Sequence, residues 1–186
     1  MHKTYKLKLM ILASAAMIAM PIAAFAANTS VPVTATFRTA VSISPTATLA
    51  FGNIDFSGAD VTAGSVTIPT TGSASAVAPF SLGTGTRNAG SATVSGDSGE
   101  AITLTCSSAV TLTAGSETIN VTPVTYEWPG EAAASCTGAP VSITTSLTGS
   151  DLVKFGGTID GSTASNAATF APGVYSGAIV VDVVYQ

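Results

Sequence analysis

Alternation of apolar and polar residues with a period of two is the feature that most constrains the fold of this chain. In VPVTATFRTAVSIS the apolar positions are Val31, Val33, Ala35, Phe37, Val41 and Ile43, and most intervening residues carry hydroxyls. Because successive side chains of a β-strand point to opposite faces, this pattern predicts a half-buried strand that Pro45 interrupts. No segment shows the sustained 3.6-residue period of an amphipathic helix. The chain is therefore predicted to be all-β.

Short apolar or alternating runs, separated by Gly, Ser and Asp, continue to the carboxyl end. The further predicted strands are Val61–Ile68, Ala76–Leu82, Ala92–Ser95, Ala101–Cys106, Ala109–Thr113, Thr118–Val121, Val124–Trp128, Val141–Leu147, Leu152–Ile159 and Gly173–Tyr185. SGDSGE (Ser95–Glu100) and TAGSE (Thr113–Glu117) are typical of hairpin connections, and GTGTRNAG (Gly83–Gly90) of a turn. Many short strands without helices predict one immunoglobulin-like β-sandwich domain over residues 27–186.

The first 26 residues have the composition of a secretory signal peptide. Three lysines precede an unbroken run of apolar and small residues (Leu9–Met20), and AFA at Ala24–Ala26 supplies an A-x-A cleavage sequence. The apolar run is shorter than the roughly 20 residues that a membrane-spanning helix needs. Cleavage after Ala26 is predicted to release an exported protein without a transmembrane anchor, in the periplasm or at the cell surface.

Loss of this leader leaves a strongly acidic chain. Arg38, Arg87 and Lys154 then stand against ten acidic residues, a net charge of −7, and the single histidine, His2, is removed. Nucleic acids and anionic membranes attract clustered Lys and Arg, so neither is a predicted partner. Without histidine the usual serine triad is impossible, and the commonest metal ligand is missing. The sequence predicts no enzyme, no catalytic residue, no metal site and no cofactor.

Cys106 and Cys136 are the two cysteines of the chain. In an oxidising compartment an even pair is most simply a disulfide. A CxxC redox site requires closer spacing, and a zinc site requires more ligands. We predict a structural disulfide between them.

Aromatic and acidic residues near position 128 offer a candidate site. Tyr126 and Trp128, two residues apart, share a strand face and form a candidate platform for a sugar ligand, although the same spacing is more typical of core or interface packing. Glu127 and Glu131 do not have the placement of a glycosidase pair across a cleft, and their spacing fits solvent-exposed carboxylates at a strand end.

The last segment, PGVYSGAIVVDVVYQ, is apolar on both of its faces. One face carries Tyr175, Ile179, Val181, Val183 and Tyr185, and the other carries Val174, Ala178, Val180 and Val184. A strand that is apolar on both faces is either central in a packed structure or remains to be covered by another strand.

LAFGNI (Leu49–Ile54), together with PGVYSGAIVVDVVY (Pro172–Tyr185), resembles a family of short exported bacterial proteins that carry a domain of unknown function and are regarded as pilin-like. The terminal pattern G-x-Y-x-G-x-x-x-V-x-V-x-Y is also similar to the last strand of chaperone–usher and spore-coat-U-type subunits, including their penultimate tyrosine. This resemblance implies a sandwich that lacks one strand, with its groove filled by the N-terminal extension of a neighbouring subunit. It also implies identical or related subunits and a periplasmic chaperone as partners, and a location in a fimbrium.

The N-terminal alternation then has two interpretations. Val31, Val33, Ala35 and Phe37 have the pattern of a donated strand, but they equally fit the first strand of their own domain. We prefer the second interpretation, because the pattern runs straight on towards Pro45. The function predicted is a structural subunit of a fimbrial, pilus-like or other surface assembly that acts through strand pairing. The alternative is a monomeric extracellular carbohydrate-binding or adhesion module that uses Tyr126 and Trp128.

Overall fold

A computed structural model describes residues 32, 34–58 and 60–186 of the chain. The predicted signal peptide, and Val31 and Val33, lie outside the described residues. The strands of the described part are β1 (Ser42–Ala47), β2 (Ile54–Phe56), β3 (Ser65–Ile68), β4 (Ser75–Val77), β5 (Phe80–Leu82), β6 (Gly90–Ser95), β7 (Ile102–Cys106), β8 (Val110–Ala114), β9 (Glu117–Glu127), β10 (Ala134–Ser135), β11 (Val141–Ser142), β12 (Ser150–Asp160) and β13 (Val181–Tyr185). Two short 3-10 turns follow β12, at Gly161–Thr163 and Ala167–Thr169. Within these ranges no helix has the length and apolar content that a membrane crossing requires.

Eight of the strands form one antiparallel sheet around β12. β9 pairs along one edge of β12, while β6 and β3 share the opposite edge, β6 along its first half and β3 along its second. β1 extends the sheet beyond β6, β4 extends it beyond β3, and β8 and β10 both pair with β9. A second sheet has β7 between β11 and β13, and β2 pairs with β5. We call the first of these the large sheet.

Both sheets contribute to one buried apolar cluster. Residues of β6 and β7 alternate strictly between buried and half-buried, which gives each strand one apolar face. Val94 and Val153 of the large sheet and Leu104 of the second sheet belong to the same cluster, and each is at most 1% exposed. The predicted all-β sandwich is therefore confirmed.

Three differences between the predicted and the observed strand boundaries lie at prolines. A turn at Ala78–Pro79 divides the predicted strand Ala76–Leu82 into β4 and β5. Pro45, in contrast, lies within β1 and does not end it. β1 is an edge strand, where a missing N–H need not remove a ladder hydrogen bond. Pro123 lies within the single strand β9, opposite a bulge between Gly157 and Ile159, so the two predicted strands there are one.

One predicted hairpin is confirmed and the other is wrong. Gly115 and Ser116 form the two-residue turn of the β8–β9 hairpin, and Gly115 has a φ of 63°. Ser95–Glu100 instead connects β6 of the large sheet to β7 of the second sheet, and these two strands do not pair. Gly, Asp and Ser satisfy the backbone of either kind of connection, so composition alone does not distinguish them.

Several predicted strands are too long. β1 begins at Ser42, and Ala35 and Phe37 are exposed and lie outside any strand. For these two residues the preferred interpretation, a first strand of their own domain, is wrong. The predicted strands ending at Ile68, Leu147 and Tyr185 shorten to β3, β11 and β13. The other predicted strands agree with β6, β7, β8 and β12 to within two residues.

Candidate functional site

The C-terminal segment runs antiparallel to the continuous stretch of chain that contains β7 and β8. β13 pairs with β7, and the Ser107 amide then donates to the Val180 carbonyl at 3.0 Å. Further along, Ser176 and Thr113 exchange two backbone hydrogen bonds, of 2.9 and 3.2 Å. Because β7 belongs to the second sheet and β8 to the large sheet, the segment borders both. The predicted strand over Gly173–Tyr185 is thus interrupted rather than absent.

The two faces of this segment have different environments. The first face, composed of Tyr175, Ile179, Val181, Val183 and Tyr185, is buried or half-buried. On the other face Val174, Val180 and Val184 are 91%, 70% and 48% exposed. The segment therefore covers the core with one face, while its second apolar face meets solvent.

The outer edge of β13 is open. β7 lies on its inner side, and no strand in the described part of the chain pairs with its other side. Residues of an antiparallel strand direct their backbone groups alternately to the two edges. The backbone of Val180 and of Gln186 forms hydrogen bonds on the inner side of the segment, and the Gln186 amide donates to the Ala101 carbonyl at 3.1 Å. By alternation, the backbone groups of Val181 and Val183 face the outer edge. Such an edge offers N–H and C=O groups to an additional extended strand.

A cleft of about 1020 Å³ with an apolar floor reaches this edge at Val181, the first residue of β13, and runs beside the part of the C-terminal segment that precedes the strand. One wall is the C-terminal segment, over residues 172–179 and Val181, and the other wall is residues 45–56. The floor is formed by side chains of β6, β8, β9 and β12, namely Ala92, Val110, Leu112, Ile119, Val121, Phe155 and Ile159. All four strands belong to the large sheet; six of the seven floor side chains are already buried, and Leu112 is half-buried.

Aromatic rings lie at one end of the cleft. Phe170 packs edge-on against Phe56 and Phe80, with ring centroids 5.6 and 6.4 Å apart, and stacks on Tyr175 at 5.2 Å. The Tyr175 hydroxyl donates to the Ala171 carbonyl at 2.9 Å. Burial and, to a smaller extent, the negative charge of Glu117 raise the pKa of Tyr175. The cluster anchors the start of the C-terminal segment.

Backbone hydrogen bonds hold the opposite wall in place. Ala50 and Asn88 exchange two of them, at 3.0 and 3.1 Å, and the Asn53 amide donates to the Thr84 carbonyl at 2.8 Å. The Arg87 guanidinium donates to the Asn53 carbonyl at 3.1 Å and also to the Gly83 carbonyl. The glycine-rich loop Gly83–Gly90, predicted as a turn, therefore braces this wall.

The charge of the cleft restricts what it can bind. Among the described residues that line it, Asp55 alone carries a charge. Phe51 and Ile54 on the wall and Leu112 on the floor remain half-buried although they pack against the core. Because burying a charge against these apolar groups costs desolvation energy, the cleft favours an occupant that is apolar on the side that enters.

A hydrogen-bonded group of five residues, which we call the latch, lies at the far end of β13: Arg38, Thr39, Asp97, Glu100 and Tyr185. The Tyr185 hydroxyl accepts from the Asp97 amide at 2.7 Å and donates to the Thr39 carbonyl at 2.9 Å. The Thr39 amide donates to the Asp97 carboxylate at 3.0 Å. Arg38 forms a 3.0 Å ion pair with Glu100, and its guanidinium carbon lies 5.9 Å from the centre of the Tyr185 ring. The latch fixes the backbone of Thr39 beside the last residues of the chain.

Tyr126 and Trp128 are both in the core. Their side chains are 4% and 1% exposed and belong to the buried cluster. Burial, together with the charge of Glu131, raises the pKa of Tyr126. The structure therefore places these rings in core packing and leaves neither ring face open for a sugar.

The predicted disulfide is present. Cys106 and Cys136 are bonded, with their Cα atoms 5.3 Å apart. Cys106 ends β7 in the second sheet, and Cys136 follows β10 in the large sheet. The bond therefore connects the two layers of the sandwich.

Glu131 was predicted to be a solvent-exposed carboxylate, but the structure shows that it accepts several hydrogen bonds. One carboxylate oxygen accepts hydrogen bonds from the amides and hydroxyls of both Thr144 and Thr145, at 2.6–3.1 Å. Partial burial acts to raise the pKa of Glu131, but these hydrogen bonds outweigh it, and the net shift is downward.

Glu131→Gln is expected to weaken the dependence of stability on acid pH. Because the folded pKa lies below that of the unfolded chain, the stabilisation by Glu131 is present above its usual pKa and is lost as pH falls through the lower folded value. The variant should be less stable than the wild type near neutral pH and should lose less stability on acidification. Thermal melts across this acidic range test this, with Glu127→Gln as a control that leaves the Thr144 and Thr145 contacts intact. An unaltered acid-side slope would contradict it.

Sequence reasoning missed most residues of the cleft and all but Tyr185 of the latch. Phe51 and Ile54 had a signal, since they lie within the quoted LAFGNI stretch that carries the resemblance, and Phe56 follows it by two residues. The latch has no local signal, because Thr39 and Tyr185 are 146 positions apart.

Comparison with known proteins identifies the family of the domain. No curated protein matches the chain. A family model described as "Domain of unknown function (DUF4402)" matches residues 41–185. The match begins one residue before β1 and ends with the last residue of β13, so it covers the whole sandwich and both walls of the cleft. This chain therefore belongs to the family described as Domain of unknown function (DUF4402).

Proposed function

We propose that this protein is an exported structural subunit of a fimbrial, pilus-like or other cell-surface assembly that binds its partners through β-strand pairing. The observation that carries the proposal is the cleft with an apolar floor beside residues 172–179 and Val181, which adjoins the open edge of β13. An extended strand placed there gains main-chain hydrogen bonds from the edge, and its alternate side chains enter the cleft. The main-chain hydrogen bonds then provide the affinity, and the side chains that enter the cleft set the register.

The layer structure of the domain supports this proposal. The floor of the cleft is the inner face of the large sheet, and it includes Phe155, which is 4% exposed, and Leu112, which is only half-buried. Elsewhere this face is covered by the second sheet. A strand inserted between residues 172–181 and residues 45–56 would cover Phe51, Ile54 and Leu112, which are only half-buried.

Features of the sequence support the same proposal. The leader predicts export, and the predicted mature chain has few charges and no histidine. The pilin-like resemblance of LAFGNI and of the C-terminal segment points to the same class of assembly. An uncovered edge and cleft also favour unwanted pairing, so we propose a periplasmic chaperone as the partner during export.

Ile179→Asp is expected to abolish assembly. Ile179 is half-buried and lines the cleft. A carboxylate there would have to be desolvated when a strand covers it, at a cost of several kcal/mol. The loss of polymer should be at least a hundredfold. Electron microscopy of material sheared from cells, together with size-exclusion chromatography of the processed protein, measures it.

Val180→Asp is the matched control. It places the same charge one residue away, on the face where Val180 is 70% exposed and outside the cleft. This variant should assemble like the wild type, and both variants should show the β-sheet circular dichroism of the parent. If the wild type remains a monomer on cells and at high concentration, or if Ile179→Asp polymerises normally, strand pairing at this cleft is wrong.

A further inference from the structure

Basic side chains, which mark the bonds that a protease of trypsin specificity can cut, are few in this chain. Such a protease takes an arginine or lysine side chain into an acidic pocket, and the described residues include three of these, Arg38, Arg87 and Lys154. The protease must also bind the flanking backbone in an extended form, so a bond inside a paired strand is protected until that strand separates.

Lys154 is protected by its position in the centre of the large sheet. Its strand, β12, pairs with β6 along one edge and with β9 along the other edge at this residue. The backbone around Lys154 is therefore held by two neighbouring strands, and a protease reaches it only after the domain opens.

Arg87 is protected by the contacts of its side chain and of the residue that follows. Its guanidinium donates to the Asn53 carbonyl at 3.1 Å and to the Gly83 carbonyl, and its Nε atom is buried. Asn88 exchanges two backbone hydrogen bonds with Ala50. Cleavage here requires the side chain to leave these carbonyls and the loop to leave the wall of the cleft.

Arg38 has a more accessible environment. It precedes β1, in a stretch of exposed residues, 34–40, that lies outside any strand. Its side chain is 47% exposed, and its ion pair with Glu100 lies at the surface, where such pairs contribute little to stability. Of the three bonds, the one between Arg38 and Thr39 therefore needs the smallest opening before a protease can bind.

The latch is suited to hold the new N-terminus that this cut creates. The Thr39 nitrogen lies 3.0 Å from a carboxylate oxygen of Asp97, and the Thr39 carbonyl accepts from the Tyr185 hydroxyl at 2.9 Å. Hydrolysis adds one water: the C–N bond breaks, a C–O bond forms a carboxylate on Arg38, and the Thr39 nitrogen becomes an ammonium. Its hydrogen bond to Asp97 is then an ammonium–carboxylate contact, which is stronger than the neutral one.

We infer that the Arg38–Thr39 bond is a processing site for a serine protease of trypsin specificity. The latch slows the cut beforehand and holds the new N-terminus of residues 39–186 afterwards. The cut removes the segment that precedes the shared domain, because the family match begins at residue 41. This inference concerns a modification of the chain and does not depend on the proposed assembly.

Brief digestion of the folded chain that lacks residues 1–26 tests the inference, with trypsin as the probe. Intact-mass spectrometry should show a first product that starts at Thr39 and ends at Gln186, before any fragment that ends at Arg87 or Lys154. Arg38→Gln should abolish this product, and Lys154→Gln should leave it unchanged. A first cut at Arg87 or Lys154, or the absence of a cut at Arg38, would overturn the inference.

Two variants test whether the latch slows the cut. Tyr185→Phe removes the hydroxyl that holds the Thr39 carbonyl and keeps the ring, and Glu100→Gln removes the ionic partner of Arg38. Each should make the first cut several-fold faster at an unchanged β-sheet circular dichroism. Cutting rates equal to that of the wild type in both variants would show that the latch does not control access.

Asp97→Asn tests whether the latch holds the new N-terminus. It removes the charge that pairs with the Thr39 ammonium, so cutting should lower the melting temperature of this variant more than that of the wild type. Asp182→Asn, at an exposed position of β13, is the matched control and should respond to the cut like the wild type. An equal effect of the cut in Asp97→Asn and the wild type would overturn this part of the inference.

Discussion

Trp128→Ala is expected to lower the free energy of unfolding by about 3–5 kcal/mol, the usual cost of deleting a large buried aromatic side chain. Trp128 is 1% exposed and is the largest of the fully buried side chains in the described part of the chain. The loss combines the transfer of the ring out of the core with the cavity that remains. Denaturant unfolding followed by circular dichroism measures it, since the variant lacks the single tryptophan of the chain.

Two further variants make this result interpretable. Trp128→Phe retains part of the ring volume and should lose clearly less stability than the alanine variant. Val174→Ala truncates a side chain that is 91% exposed and should change stability by no more than about 0.5 kcal/mol. If Trp128→Ala cost no more than Val174→Ala, the ring would not be part of the core.

Removal of the disulfide, with Cys106→Ala and Cys136→Ala together, should lower the free energy of unfolding by about 3–4 kcal/mol in the loop-entropy account. The bond closes a loop with a sequence separation of 30. Both cysteines are buried, at 4% and 3% exposure, so alanine introduces no unsatisfied polar group. The principal effect is on the unfolded chain, which becomes free to expand.

Guanidinium unfolding of the two proteins measures this effect. The variant should show a lower midpoint and a steeper dependence on denaturant, because a more expanded unfolded state exposes more surface. Reduced wild type is the control and should resemble the double variant. A loss that comes with an unchanged denaturant slope would indicate that the bond acts on the folded state instead.

The C-terminal segment shows which structural properties a local sequence pattern can predict and which it cannot. Alternation correctly placed Tyr175, Val181 and Val183 on one inward face, because the two-residue period of a strand is a property of the backbone. The same pattern did not reveal that the strand is interrupted before Val181 or that its second face meets solvent. Both depend on the position of β7 and β8, which is set elsewhere in the chain.

The connections between strands were predicted less well than the apolar faces of the strands. TAGSE formed a hairpin and SGDSGE did not, although both have the residues that turns prefer. The difference lies in which strands the loops join, and that depends on pairing between distant segments. The N-terminal segment is a similar case: its alternation resembles that of a first strand, yet Phe37 is exposed and β1 begins only at Ser42.

By itself, the order of residues determined that this chain is built from short strands, that its two cysteines bond and which side of each strand is apolar. These are local or near-local properties, encoded by alternation, turn residues and the oxidising compartment that the leader predicts. The cleft, the open edge of β13 and the latch were decided only by the tertiary structure. Each of them depends on whether segments that are far apart in sequence come into contact, and a local sequence pattern does not encode such contacts.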